Sequence, residues 1–190
     1  MKLVIFLAIA GAAALYLITL FNALVDIKHQ VGKCWANIDV LLKQRHDEIP
    51  KLVAACQQYA RFEQGMLDKM MQARQAVAES ALNRDMPGLG QAESRLRSLF
   101  GQVYAAAEAY PELKADQQFA ALSQRITQLE ESLADRRELY NEAVNINNAR
   151  IEQFPDVLLA RLFNMQPAQS LSFSAAETGD VDVAALFKQS

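Results

Sequence analysis

The hydrophobic pattern divides the chain into one unbroken apolar run, two long helical seams with a shorter one between them, and a polar end. Residues 3–21 (LVIFLAIAGAAALYLITLF) carry no charge between Lys2 and Asp26. At 1.5 Å rise per residue, about 20 apolar residues in a helix match a hydrocarbon core of roughly 30 Å, so this run predicts a transmembrane anchor over 1–23. The competing reading is a cleaved secretory signal, because Ala8-Ile9-Ala10 has the small-x-small look of a cleavage site. That site comes too early: a signal's apolar region needs about 7–15 residues, and here the run continues well beyond the cut.

Alternate steps of three and four residues then trace Leu24, Ile27, Val31, Trp35, Ile38, Leu42, Arg45, Ile49, Leu52, Cys56, Tyr59, Glu63, Met66, Met70, Ala73 and Val77. This seam, interrupted only by Arg45 and Glu63, predicts a long helix over 24–82. Pro50 lies inside it and removes an internal hydrogen bond, yet the seam keeps phase. A helix kinked near 50 is expected, with a break at Ile49-Pro50 as the alternative. The segment Asn83-Arg84-Asp85-Met86-Pro87-Gly88 has turn chemistry. A connecting helix over 89–109 follows, with Ala92, Leu96, Leu99, Val103 and Ala106 on one face.

After Tyr110-Pro111 a second seam runs Phe119, Leu122, Ile126, Leu129, Leu133, shifts register as a stutter does, and continues Arg137, Tyr140, Val144, Asn147, Ile151, Phe154. It predicts a helix over 113–154, and Phe154-Pro155 separates it from a short helix over 156–163. Beyond that, Gln, Ser, Ala, Gly and Thr dominate, with Phe173, Val181, Val183, Leu186 and Phe187 spaced among them. The tail, 164–190, is either mobile or docked by those few apolar side chains. The fold class expected is all-α: a single N-terminal transmembrane helix, then an elongated antiparallel helical bundle over 24–163. Its long helices of ~40 and ~55 residues would measure roughly 60 to 80 Å.

Charge narrows the partners. The formal net charge is −3, so there is no basic footprint for nucleic acid. Nor does that overall balance suggest a helix lying on anionic lipid. Lys28, Lys33, Lys43 and Arg45 outnumber Lys2 across the apolar run, which by the positive-inside count places the bundle on the cytoplasmic side of an inner membrane, single-pass. Cys34 and Cys56 would stand about 33 Å apart on one helix, too far to bridge. They are read as small buried apolar residues in a reducing compartment, with pairing between chains as the alternative.

Candidate chemistry is sparse. His29 and His46 form no His-Glu-x-x-His, and the chain has no Cys-x-x-Cys, no Gly-x-Ser-x-Gly elbow and no phosphate-binding glycine loop. No catalysis, cofactor or metal is expected. The polar members of the seams, Arg45, Glu63, Arg137 and Asn147, cost free energy to bury unless each finds a partner. They are candidates for fixing helix register or contacting a partner protein; a satisfied ion pair, or an Arg that snorkels outward, is the plainer alternative. His46, off the seam, is expected to be solvated. Trp35, ~20 Å beyond Phe21 at helical rise, is expected to anchor the core. Ala8, Gly11, Ala12 and Ala14 could pack one span against another, or simply favour a helix.

Several blocks together resemble the LemA family of membrane proteins. They are Phe21-Asn22-Ala23-Leu24-Val25, the stretch Cys34-Trp35-Ala36-Asn37-Ile38-Asp39-Val40-Leu41-Leu42-Lys43-Gln44-Arg45, Ile49-Pro50-Lys51-Leu52-Val53, Tyr110-Pro111-Glu112-Leu113-Lys114-Ala115, and Arg137, Tyr140-Asn141, Val144, Asn147 and Phe154-Pro155. Within them Trp35, Asp39, Pro50, Tyr110, Pro111, Tyr140, Phe154 and Pro155 are expected structural anchors. The chain departs from the family at Phe62, where a His is common, and in a tail whose acidic stretch is thinned to Phe173-Ser174-Ala175-Ala176-Glu177. The resemblance implies one membrane helix and a long helical bundle without established catalysis. It also brings a likeness to a magnetosome-membrane biogenesis protein.

The expected function is a membrane-anchored helical scaffold that self-associates or recruits an as yet unidentified membrane protein. Two alternatives are a membrane-remodelling oligomer and a regulatory subunit of a membrane protease or signalling complex.

Overall fold

The structure, a computed structural model, describes residues 1–59 and 63–172. Its elements are α1 (Lys2–Gln57), α2 (Gln64–Asn83), α3 (Met86–Glu108), α4 (Pro111–Ala115), α5 (Gln117–Glu152) and α6 (Asp156–Leu162), with no strand among the described residues. The chain is all-α, a long apolar N-terminal helix followed by packed helices. It gathers into two compact units, one from Met1–Leu41 with Glu130–Ser170, the other built chiefly from Leu42–Leu129.

Helix α1 continues past Pro50 and ends at Gln57, so a single helix over 24–82 does not form. The Tyr59 N–H tightens onto the Cys56 carbonyl, and Glu63 is extended (φ −68°, ψ 108°) before α2 begins. Residues 60–62, with the Phe62 departure, lie outside the described residues. The break has a packing logic. A continuous helix would press Glu63 into the core; instead Glu63 is exposed and α2 buries Leu67, Met70, Ala73 and Val77, slipping the seam by one residue from Met66.

The turn between α2 and α3 is shorter than its composition implied. Arg84 adopts the left-handed conformation (φ 52°), and the N–H groups of Arg84 and Asp85 return to Ala81 and Ser80, closing α2. Asp85 then caps α3 by accepting from the Gly88 N–H at 3.1 Å, which starts α3 at Met86 rather than at 89. Gly88 is needed there: a Cβ would lie 2.1 Å from the Asp85 carboxylate.

The helix expected over 113–154 is likewise divided. Asp116 is extended and accepts from the Phe119 N–H at 2.8 Å, a cap that ends α4 and starts α5. At the far end α5 stops at Glu152, and Phe154 sits in the turn, 80% exposed. Phe154, expected as a structural anchor, is therefore not buried, because the chain leaves the helical register two residues before it. Pro155 and Pro50 are half-buried and Pro111 is exposed.

In the first unit α1 and α5 run antiparallel, since Trp35 meets Tyr140 while Phe21, earlier in α1, meets Phe163 beyond α5. Leu24, Trp35 and Ile38 of α1 and Leu133, Tyr140, Ala143 and Val144 of α5 are buried, and α6 adds Leu159 and Ala160. Every residue from 1 to 19 is exposed, and this stretch of α1 is long and apolar enough to cross a membrane. In the second unit the core comprises Ile49, Leu52 and Cys56 of α1, the inner face of α2, Leu89, Leu96, Phe100 and Val103 of α3, Leu113, and Phe119 and Ile126 of α5.

Candidate functional site

The expected polar residues do not form one site. Arg45 is buried in the second unit, where its guanidinium donates to the carboxylate of Glu93 on α3; the two side chains are 3% and 8% exposed. Taking two charges out of water is costly, and only their mutual attraction at close range offsets it. Register follows from this: α3 can slide along α1 only by leaving one charge uncompensated. Glu63 takes no part in this pair. Glu93 is missing from the expected set, although steps from Leu89 through Glu93, Leu96, Phe100, Val103 and Ala107 trace a helical seam on α3. The face read from the sequence, through Ala92 and Leu99, lies beside it.

Arg74 on α2 donates from Nε to the His46 carbonyl at 2.8 Å. The imidazole is half-buried, not solvated, and its Nδ1 is enclosed with no hydrogen-bond partner among the described residues. Burial lowers the His46 pKa below the usual imidazole value, and the nearby Arg74 charge pushes the same way. Cys56 is wholly buried, and burial raises its thiol pKa to about 11; Cys34 is half-buried.

In the first unit Asn147 is buried on α5 and donates to the side chain of Asn148 at 3.1 Å. Asn148 in turn clasps the backbone of Ala168, donating to its carbonyl and accepting from its N–H, both at 2.9 Å. Tyr140, whose ring meets Trp35 edge-on at 5.9 Å, donates from its hydroxyl to the Gln169 carbonyl at 2.8 Å. The beginning of the expected tail is thus docked on α5. Residues 173–190, including Phe173, Val181, Val183, Leu186 and Phe187, lie outside the described residues.

Arg137 is half-buried beside Asp135, Glu138 and Asn141 around an open depression on α5. Asp39 and Tyr110 are half-buried and engaged in contacts of their own. Ala8, Gly11, Ala12 and Ala14 are all exposed, and a Cβ at Gly11 would touch nothing within 4 Å. A groove of about 360 Å³ lies between α1 and α5, lined by Ile27, Cys34, Leu139, Ala143 and Ile146 among others. No group of three or more His, Cys, Asp or Glu side chains among the described residues is placed to hold a metal ion.

What these features define is an all-α protein of packed helices, its first helix bare and apolar at one end and built into the core at the other. A family model for the LemA family matches residues 34–184, and the chain belongs to that family. No curated protein matches it.

Proposed function

We propose that the protein is a membrane-anchored helical scaffold that self-associates through its bundle and has no catalysis of its own. One observation carries this reading: α1 is a single helix whose charge-free run is exposed at every residue from 3 to 19, while its continuation from Leu24 is packed into the core. Leaving so many large apolar side chains in water would be strongly unfavourable, at about 25 cal/mol per Å² of apolar surface. A bilayer removes that cost without demanding any further protein.

Self-association is supported by the surface of the first unit. Leu139 and Ile146, seven residues apart on α5, are 45% and 46% exposed and flank the groove containing Ile27. This spacing suits a facing helix. Reconstitution into phosphatidylcholine–phosphatidylglycerol vesicles, followed by flotation at alkaline pH, tests the anchor. The protein is expected to float with lipid; recovery from the aqueous fraction would contradict the reading.

A further inference from the structure

The end of α6 stands where the apolar run of α1 stops. Phe21, the last residue of that run, packs against Phe163 just beyond α6, with ring centroids 4.6 Å apart and planes tilted by 49°. From that contact α6 divides into two sides. Asp156, Leu159 and Ala160 are buried against the first unit, and Asp156 is held by Arg150 Nε at 2.5 Å. Leu158 and Leu162, one helical turn apart, face outward at 60% and 74% exposure, joined by Phe154 at 80% and Phe163 at 53%.

Four large apolar side chains on so short a segment are left exposed by the packing of the described residues. They are continuous, through Phe163 and Phe21, with the bare surface of α1. The one outward-facing charge on α6 is Arg161, a cation, because the acid of this helix is turned inward and neutralised. The net negative charge of the whole chain conceals this local arrangement.

We propose that the segment 154–163 is a second membrane contact: it lies in the interface of the bilayer beside the anchor, with Phe154, Leu158, Leu162 and Phe163 entering the acyl boundary and Arg161 meeting lipid phosphate. The occupant of this apolar face is lipid. Interfacial helices sink their apolar side roughly 5–10 Å into the headgroup and acyl boundary, a depth that matches a segment in contact with the residue where the span ends. Arg161 is suited to the same boundary, because a long cationic side chain reaches headgroups while its stem lies along apolar surface. The consequence is mechanical. A bundle tethered by one helix can swing about it, whereas a second contact fixes the α1–α5 pair at a set angle to the bilayer. The inference rests on the anchor reading above.

Quenching by brominated lipids separates the two. Full-length Leu162→Trp and Leu17→Trp variants would be reconstituted in phosphatidylcholine–phosphatidylglycerol vesicles carrying bromine at shallow or deep acyl positions. The natural protein, whose only tryptophan is the buried Trp35, supplies the background. The Leu162→Trp signal is expected to be quenched about two-fold more than that background, most strongly by shallow bromines, and Leu17→Trp most strongly by deep ones. Quenching of Leu17→Trp without extra quenching of Leu162→Trp would overturn the second contact and leave the anchor standing. A blue-shifted Leu162→Trp emission that bromine does not quench would mean that protein, such as a second copy of the chain, covers this face in place of lipid, and would overturn it equally. If neither variant is quenched, both readings fall. Leu158→Trp, on the same outer side, repeats the measurement should Leu162→Trp fail to reconstitute.

Discussion

Arg45 and Glu93, 48 positions apart in the chain, form an ion pair in the interior of the second unit, with neither side chain more than 8% exposed. The pair ties the middle of α1 to α3. Its value lies in specifying register more than in net stability, because well-packed apolar residues can replace such pairs at little cost. Arg45→Met alone is expected to destabilise the protein by about 3–5 kcal/mol, since it strands a buried carboxylate. The double variant Arg45→Met/Glu93→Leu is expected to return to within about 1 kcal/mol of the parent or to exceed it. Denaturant unfolding of the parent, of Arg45→Met and Glu93→Leu singly, and of the double variant gives the coupling directly.

His46 makes the stability of the fold depend on pH. Its pKa is lowered in the folded protein by burial and by Arg74, so the unfolded chain takes up the proton more readily. Stability from this site is intact above the unfolded value of about 6.5 and is lost as pH falls below it, until the folded pKa is passed. Unfolding midpoints measured from pH 8 to pH 5 should fall for the parent, and the decline should be shallower for His46→Gln.

The thiols should react in order. Cys56 is wholly buried with its pKa raised to about 11, so almost none of it is thiolate at neutral pH. Labelling the native protein with a maleimide and locating the adduct by mass spectrometry should find Cys34 modified first, and Cys56 only when denaturant is added.

Tyr140 joins the α1–α5 core to the chain beyond α6, its ring against Trp35 and its hydroxyl on the Gln169 carbonyl. Removing only the hydroxyl, by Tyr140→Phe, should cost about 1 kcal/mol and raise amide exchange around residues 168–170. Tyr140→Ala should cost about 3–5 kcal/mol by leaving a cavity against Trp35.

The seams show how much of this was legible in the chain. Leu24, Trp35, Ile38, Leu42, Ile49 and Leu52 recur at helical spacing and are all buried, because a helix packed on one face must repeat that way. Helix ends were harder to read. Asp85 and Asp116 act as caps through a single side-chain bond each, a local signal that lies outside the apolar seams, which resume only at Ala92 and Phe119. Arg45 was visible as a polar residue in an apolar seam, but its partner was not, since a pairing 48 residues away depends on how α3 packs against α1. Glu93 could have been found by starting the three–four steps at Leu89. Asn148 carries no periodic signal at all, because its role is to satisfy a backbone amide and carbonyl that become buried only when the chain after α6 docks.

The mass of the full-length protein extracted in mild detergent, taken by light scattering with the detergent contribution subtracted, tests the scaffold reading most directly. The chain has a mass of 21.1 kDa. A uniform particle of at least twice that mass is expected, reduced to a single chain by Leu139→Glu/Ile146→Glu with helicity retained. A parent protein that is already a single chain under these conditions would contradict it.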